Sequence, residues 1–153
     1  MIIDLHDKPE YIPTLAAWHH QEWGHLNPGD SLETRIEKMR EYLSSKPIPK
    51  MLIWIEAQAV IGSAGVLACD MDTRPELTPW LASVFVKPEL RGKGIGSLLV
   101  KGVMDYAARQ GFSELFLFTP DQEAFYQKLG WQTISREEYR GVHVSVMRVD
   151  LTR

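Results

Sequence analysis

A glycine-rich turn past the middle of the chain holds the residues best suited to chemistry. It has glycine at every second position, together with two basic residues: Arg91, Gly92, Lys93, Gly94, Ile95, Gly96 and Ser97. Glycine lets the backbone curl closely around a ligand because it has no Cβ atom. An amphipathic helix is predicted to follow, and the first amides of a helix lack partners and carry partial positive charge. The turn is therefore suited to a phosphate or pyrophosphate group.

The spacing of these glycines separates the turn from two familiar nucleotide-binding loops. A dinucleotide fingerprint reads G-x-G-x-x-G after the first strand, with an acidic residue about 20 positions further on. Here the spacing is G-x-G-x-G, and the turn lies past the middle of the chain. The G-K-[ST] ending of a P-loop is also missing. Because the pattern is short, a plain turn that only joins a strand to a helix is the alternative interpretation.

Apolar residues recur with helical periodicity in some segments and strand periodicity in others. Predicted strands cover residues 2–5, 51–56, 60–68, 80–86, 115–118, 131–139 and 142–149. Predicted helices begin at Pro9 and at Asp30, run from 95 to a left-handed end at Gly111, and cover 122–129. Asp30 with Glu33 resembles a capping box. The order β-α-α-β-β-β-α-β-α-β-β predicts an α/β or α+β fold, a sheet with helices on its faces.

Length and charge exclude several classes of protein. A chain of 153 residues suits a single domain over 1–153, and a net charge of -3 is unlike a basic nucleic-acid-binding domain. No apolar run reaches the roughly 18 residues that a membrane span needs, and the first residues lack the layout of a secretion signal. The single cysteine, Cys69, suits a reducing compartment. We therefore expect a cytoplasmic protein without nucleic-acid or membrane partners.

Two segments resemble those of a known family. The run Val84-Phe-Val-Lys-Pro-Glu-Leu-Arg-Gly-Lys-Gly-Ile-Gly96 is similar to the acetyl-CoA-binding motif R/Q-x-x-G-x-G/A of the GNAT superfamily of N-acetyltransferases. The run Glu123-Ala-Phe-Tyr-Gln-Lys-Leu-Gly-Trp131 is similar to the F-Y-x-x-x-G-F/W segment of that family. Both come in the family's order, and the resemblance covers residues 2–150. It implies a mixed, mostly antiparallel sheet and an enzyme that uses acetyl-CoA as co-substrate, with no metal.

The resemblance also implies which residues contact acetyl-CoA. Residues 91–97 would hold the pyrophosphate, mostly through backbone amides. Val84, Phe85 and Val86 would present strand backbone to the pantetheine arm, and an amide there would polarise the thioester carbonyl. Their strand would part from its neighbour after residue 118, which opens the gap that the cofactor enters. Thr119 would either hydrogen-bond the cofactor or only cap the next helix.

Tyr126 is the predicted general acid. The resemblance to the GNAT superfamily implies that Tyr126 lies beside the thioester sulfur and protonates the leaving thiolate. A phenol with a pKa of about 10 suits a thiolate of similar basicity. The alternative is an aromatic residue that only packs beside Phe125.

The base that deprotonates the acceptor amine is left open by the sequence. Four carboxylates are candidates: Glu22, Asp70, Asp72 and Glu76. The alternative for each of them is a solvated carboxylate on the surface.

Three other residue types carry weaker hypotheses. The histidines at 19, 20 and 25 do not have metal-binding spacing, so we expect no metal site. Cys69 is expected to be a buried packing residue rather than an acetyl carrier, which leaves direct attack by the amine. Trp23 and Trp80 are expected to border the acceptor cleft.

The predicted function is transfer of an acetyl group from acetyl-CoA to a primary amine by direct attack. A looser similarity of Glu22-Trp23 and residues 119–126 to proteins related to the actin N-terminal acetyltransferase makes a peptide N-terminus a candidate acceptor, alongside small amines. The alternatives are a non-catalytic acyl-CoA-binding regulatory module on the same fold and a nucleotide-binding protein of another class. The protein is expected to be a monomer or a homodimer.

Overall fold

A seven-stranded sheet forms the centre of the molecule in the computed structural model, which describes residues 1–152. Its strands are β1 (Ile2–Asp4), β2 (Lys50–Glu56), β3 (Ala59–Leu67), β4 (Trp80–Val86), β5 (Glu114–Thr119), β6 (Gln132–Tyr139) and β7 (Val142–Asp150). They lie in the order β1-β2-β3-β4-β5-β7-β6. Only β4 and β5 are parallel among the neighbouring pairs of this described sheet. The predicted mixed, mostly antiparallel sheet is confirmed.

Four α-helices flank this sheet within the described part of the chain. They are α1 (Ile12–Trp23), α2 (Leu32–Met39), α3 (Ile95–Arg109) and α4 (Glu123–Lys128). The first begins three residues later than predicted, because Pro9–Tyr11 forms a 3₁₀ turn. None of the helices within residues 1–152 has the length and hydropathy needed to cross a bilayer.

The start of α2 differs from the prediction by one residue. Ser31 is the N-cap instead of Asp30, and its Oγ accepts a hydrogen bond from the Thr34 amide at 3.1 Å. The Asp30 carboxylate accepts instead from Arg35 at 3.1 Å. A carboxylate forms a stronger hydrogen bond with a guanidinium than with a neutral amide. The capping position therefore falls to the serine.

Different helices cover the two faces of the sheet, as the alternation along β2 shows. Met51 and Ile53 pack in a core with α1 and α2, whereas Leu52 and Trp54 pack against the core that contains α3. Successive side chains of a strand point to opposite faces. Hence α3 lies on one face of the sheet, and α1 and α2 lie on the other.

The helix α3 is fixed to its face by a buried stripe. Leu99, Val100 and Val103 are buried, and burial of each such side chain contributes about 1.5–3 kcal/mol. Leu98 of the same helix is 49% exposed, because the buried stripe is centred near Val103 and Leu98 lies outside it. The predicted left-handed end of α3 at Gly111 is confirmed, with φ of +93°.

The two parallel strands separate soon after they meet. Trp80 of β4 and Phe116 of β5 are their one described pair, supported by a hydrogen bond of 2.9 Å from the Phe116 amide to the Pro79 carbonyl. Strands β4 and β5 therefore separate at Phe116. The resemblance had placed this opening later, after residue 118. Trp80 is fully buried beside this pair. It therefore belongs to the core. The expectation that Trp80 borders the acceptor cleft was wrong.

Candidate active site

The glycine turn leads into α3 and leaves its first amides without helical partners. Gly92 and Gly94 have φ of +80° and +86°, the left-handed region that favours glycine. Gly94 is the N-cap, and no side chain caps α3. A Cβ atom added at either glycine would meet no atom within 4 Å. The turn is thus an open cradle of backbone donors at the positive end of a helix, which is suited to an anion.

The Arg91 side chain folds back from the cradle towards β4 and α1. Its Nε donates to the Val86 carbonyl at 2.8 Å, and its guanidinium lies 5.3 Å from the Phe85 ring centroid. A terminal nitrogen also lies 3.4 Å from Glu22. Arg91 therefore stabilises the shape of the turn, whose residues 91–94 are exposed.

Helix α4 brings the predicted acid towards the cradle. A Cβ atom on Gly96 would lie 3.7 Å from both the Phe125 ring and Val86, so the first turn of α3 contacts both α4 and the end of β4. Tyr126 follows, 8% exposed, with its ring 5.0 Å from that of Phe125 and 6.0 Å from that of Trp131. Its hydroxyl forms no hydrogen bond to any described residue. Burial raises the pKa of the Tyr126 phenol, so it stays protonated at neutral pH.

Two side chains fix the position of α4. The Thr119 Oγ1 accepts from the Gln122 amide at 3.0 Å, in the turn that leads into α4, whose N-cap residue Gln122 makes no side-chain capping bond. The Glu123 carboxylate accepts hydrogen bonds from three side chains of β6 and β7: from Thr133 and Ser145 at 2.7 Å and from Arg136 at 2.6 Å. These bonds hold the pKa of Glu123 down at about 2. Nothing in the local sequence pointed to Glu123, because its partners lie on β6 and β7.

Strand β4 contains a bulge at the centre of the site. Ser63 pairs with Phe85 but Gly65 pairs with Ala82, so β4 has one more residue than β3 over this stretch. Ser83 has φ of +56° within the bulge. A serine held in the left-handed region costs about 1–2 kcal/mol, so neighbouring contacts must hold it there.

A buried hydrogen-bond chain supplies those contacts. The Ser63 hydroxyl donates to the Ser83 carbonyl at 2.8 Å, and His19 Nε2 lies 2.9 Å from the same hydroxyl. Since Ser63 gives its proton to the carbonyl, His19 must donate from Nε2. His19 is 1% exposed, and burial lowers its pKa to about 3, so the ring is neutral.

The four candidate bases have different surroundings. Glu22 pairs with Arg91 at 3.4 Å, Asp72 with Arg140 at 3.3 Å, and Glu76 with Arg74 at 3.0 Å. Asp70 is the one of the four that has neither an ion pair nor a hydrogen bond among the described residues. Burial raises its pKa from 3.8 to about 6.

Other features of the surface lie apart from this site. No group of three or more His, Cys, Asp and Glu side chains within residues 1–152 is arranged to hold a metal ion. Cys69 is exposed, so the expectation that it packs in the core was wrong. A surface depression of about 500 Å³ lies beside Met1, Tyr11 and Glu56, near the β1 edge of the sheet.

The chain belongs to the acetyltransferase (GNAT) family, whose family model matches residues 12–131. This confirms the family that the two motifs indicated. The chain is 30% identical to N-alpha-acetyltransferase 80 of Mus musculus over 131 residues, which cover 82% of this chain and 39% of the relative. It is 34% identical to N-acetyltransferase 8B of Homo sapiens over 98 residues, 61% of this chain and 42% of the relative. The chain thus spans about two fifths of the length of these curated relatives.

Solved structures share the whole fold. Aminoglycoside 6'-acetyltransferase type Ii has a TM-score of 0.78 at 18% identity, over 100% of this chain and 98% of that one. The yncA protein of Salmonella typhimurium, solved with its cofactor acetyl-CoA, has a TM-score of 0.73 at 19% identity, over 100% and 94%. At these identities the likeness concerns the fold.

Proposed function

We propose that this chain transfers the acetyl group of acetyl-CoA to a primary amine by direct attack. The observation that carries the proposal is the open cradle at the start of α3, which lies next to the gap between β4 and β5 and contacts the helix of Tyr126. The backbone donors of residues 92–97 suit a pyrophosphate. The gap suits an extended chain that uses the free backbone groups of β4, as an added strand does.

The names of two related proteins support a nitrogen acceptor. An N-alpha-acetyltransferase and a coenzyme-A-bound aminoglycoside 6'-N-acetyltransferase both acetylate nitrogen by name. The amine of this chain's acceptor belongs to a small molecule or to a peptide N-terminus.

In the proposed reaction the residues of this chain supply polarisation and a proton. A backbone amide of residues 84–86 donates to the thioester carbonyl oxygen and stabilises the negative charge that develops there. Tyr126 gives its phenolic proton to the sulfur as the C–S bond breaks. Burial raises the pKa of Tyr126, and desolvation in the same place also raises the basicity of a thiolate. The pKa values of the phenol and of the thiol therefore remain similar.

The experiment is a screen for coenzyme A release from acetyl-CoA. The acceptors are spermidine, an aminoglycoside and short peptides with free N-termini. We expect release with at least one amine, and we expect Tyr126→Phe to lower kcat about 100-fold while acetyl-CoA affinity stays unchanged. Phe125→Leu is the matched control, since it changes the neighbouring ring without removing a hydroxyl.

Two results would favour other functions. Tight acetyl-CoA binding with no release and no effect of Tyr126→Phe would indicate an acyl-CoA-binding regulatory module. Thermal stabilisation by ATP or NAD, with none by acetyl-CoA, would indicate a nucleotide-binding protein of another class.

A further inference from the structure

The bulge in β4 leaves the peptide unit between Ser83 and Val84 outside the regular strand pairing. Among the described pairs, the register with β3 passes from Ala82 directly to Phe85. The described pair with β5 lies earlier in β4, at Trp80. Nearby side chains are therefore needed to fix the orientation of this peptide unit.

The Ser63 hydroxyl fixes the direction in which the peptide unit points. It donates a hydrogen bond of 2.8 Å to the Ser83 carbonyl. The bond between Ser83 and Val84 is trans, and the C=O and N–H groups of a planar trans peptide point in opposite directions. The Val84 N–H therefore points away from Ser63 and from β3. Because β3 and β5 flank β4 on opposite edges, this amide is directed to the edge of β4 that faces the gap.

His19 holds the Ser63 hydroxyl in this orientation. Its Nε2 lies 2.9 Å from Ser63 Oγ and donates to it, so the hydroxyl proton is left for the Ser83 carbonyl. Ser63 is 0% exposed and His19 is 1% exposed. Loss of either hydrogen bond would leave a buried polar group without a partner, which is unfavourable. The two side chains therefore act as one unit.

Aromatic rings on one face of the sheet and a core on the other hold this unit in place. The His19 ring centroid lies 5.3 Å from that of Trp23 and 6.1 Å from that of Phe85. Phe85 in turn stacks on Trp18 at 5.4 Å. On the other face, the Val84 side chain packs against the core that contains α3. The peptide unit is thus held from both faces of the sheet.

Ser83 makes the direction of the Val84 amide depend on the hydrogen bond from Ser63. The φ of Ser83 is +56°, in the left-handed region where some bulges have glycine. A serine in this conformation is strained. Without the Ser63 hydroxyl, rotation of the peptide unit would relieve this strain and turn the Val84 N–H away from the gap.

We infer that Ser63 and His19 are positioning residues for catalysis, which direct the Val84 amide at the thioester carbonyl oxygen of acetyl-CoA. The inference rests on the proposed function and specifies which amide of residues 84–86 donates. When the amine attacks the thioester carbon, the π electrons of the carbonyl move to its oxygen, and the Val84 N–H stabilises this charge without giving up its proton. The electrons return as the C–S bond breaks. Ser63 and His19 therefore keep their own protons throughout.

The first test is Ser63→Ala, assayed with the best acceptor of the amine screen. We expect kcat to fall about 100-fold, because a misdirected donor loses most of its effect on the transition state. The dissociation constant of acetyl-CoA should stay unchanged, since the variant leaves the cradle at 92–97 intact.

The carbonyl of bound acetyl-CoA gives a readout that needs no acceptor. A hydrogen bond to a thioester carbonyl lowers its stretching frequency, which infrared difference spectroscopy with isotope-labelled acetyl-CoA measures. We expect this frequency to be lower for acetyl-CoA bound to wild type than for acetyl-CoA bound to Ser63→Ala. A residue with only a structural role would not change the frequency while the affinity stays constant.

Two variants of His19 test the second residue of the unit. His19→Gln keeps an N–H donor at the end of the side chain, whereas His19→Met has a similar length and no donor. We expect His19→Gln to retain most of the wild-type kcat and the lowered carbonyl frequency, and His19→Met to lose both. His25→Gln changes an exposed histidine beyond α1 and is the control, which should match wild type.

Each contrary result has a separate meaning. Wild-type kcat and carbonyl frequency in Ser63→Ala would overturn this inference alone. A lower kcat with weakened acetyl-CoA binding and a wild-type carbonyl frequency would show a structural role and also overturn it. The absence of coenzyme A release by wild type with every amine would instead overturn the proposed function. If Ser63→Ala does not fold, the His19 variants decide, and equal kcat in His19→Gln and His19→Met would contradict the positioning role.

Discussion

At the scale of single residues, Gly94 has the most demanding position in the cradle. Its φ of +86° lies where a side chain is strained, although open space surrounds it. It is also the N-cap of α3, where the helix amides point towards the proposed pyrophosphate. A substitution at Gly94 therefore affects ligand binding in two separate ways, through backbone strain and through charge at the start of α3.

The variant Gly94→Asp tests the cradle. It adds a negative charge next to an anion, and we expect acetyl-CoA affinity to fall at least about tenfold, which corresponds to about 1.4 kcal/mol. Isothermal titration calorimetry measures the change. Gly94→Ala is the matched control, because it adds similar backbone strain without charge. Equal affinity in wild type and a folded Gly94→Asp variant would place the coenzyme elsewhere.

At the scale of elements, α4 depends on contacts outside itself. It has only six residues, and isolated helices shorter than about 12–15 residues are marginal in water. The hydrogen bond from the Gln122 amide to Thr119 and the three hydrogen bonds of Glu123 to β6 and β7 attach it to the sheet. These contacts also set where Tyr126 stands relative to the gap between β4 and β5.

The pH dependence of stability tests the anchor of α4. The folded-state pKa of Glu123 is lowered from 4.5 to about 2. Its contribution is present above its unfolded pKa and is lost as pH falls towards about 2. Thermal melts between pH 2.5 and 7 should show a wild-type advantage over Glu123→Gln at neutral pH that shrinks below pH 4.5. Glu138→Gln, an exposed change on β6, should follow wild type, and a constant gap for Glu123→Gln would contradict the role.

At the scale of the whole molecule, the sheet consists of two parts that are joined by few contacts. Strands β1–β4 form one part and β5–β7 the other, and Trp80 with Phe116 is their described strand pair. Beyond this pair the backbone groups of β4 have no β5 partner. A ligand that enters the gap would therefore complete the sheet.

Hydrogen exchange tests this arrangement. We expect coenzyme A to slow amide exchange in residues 82–86 and 92–97, because the ligand covers those amides and opposes local opening. The amides of β2, which pair on both sides, should change little. NAD at the same concentration is the control, as a diphosphate without a pantetheine arm. Protection spread evenly over the sheet would argue against a ligand between β4 and β5.

Local patterns were enough to predict most elements of this fold. The amphipathic α3 and its end at Gly111 depend on residues close together in the chain, so the sequence predicts them. The prediction was wrong where neighbours compete for one role, as with Asp30 and Ser31 at the start of α2. The Asp30 carboxylate bonds Arg35 of α2 and also lies 2.7 Å from His20 Nδ1 of α1, and the second of these contacts joins α1 to the residues that lead into α2.

The sequence by itself determined the family, the sheet with its flanking helices, and the positions of the glycine turn and Tyr126. These follow from short motifs and periodicity, which are properties of neighbouring residues. Only the tertiary structure decided that Arg91 turns back to Val86, that His19 and Ser63 hold the bulge at Ser83, and that Asp70 differs from the other candidate bases. Each of these depends on burial or on side chains brought together across the fold; His19 and Ser63, for example, are 44 residues apart in the chain.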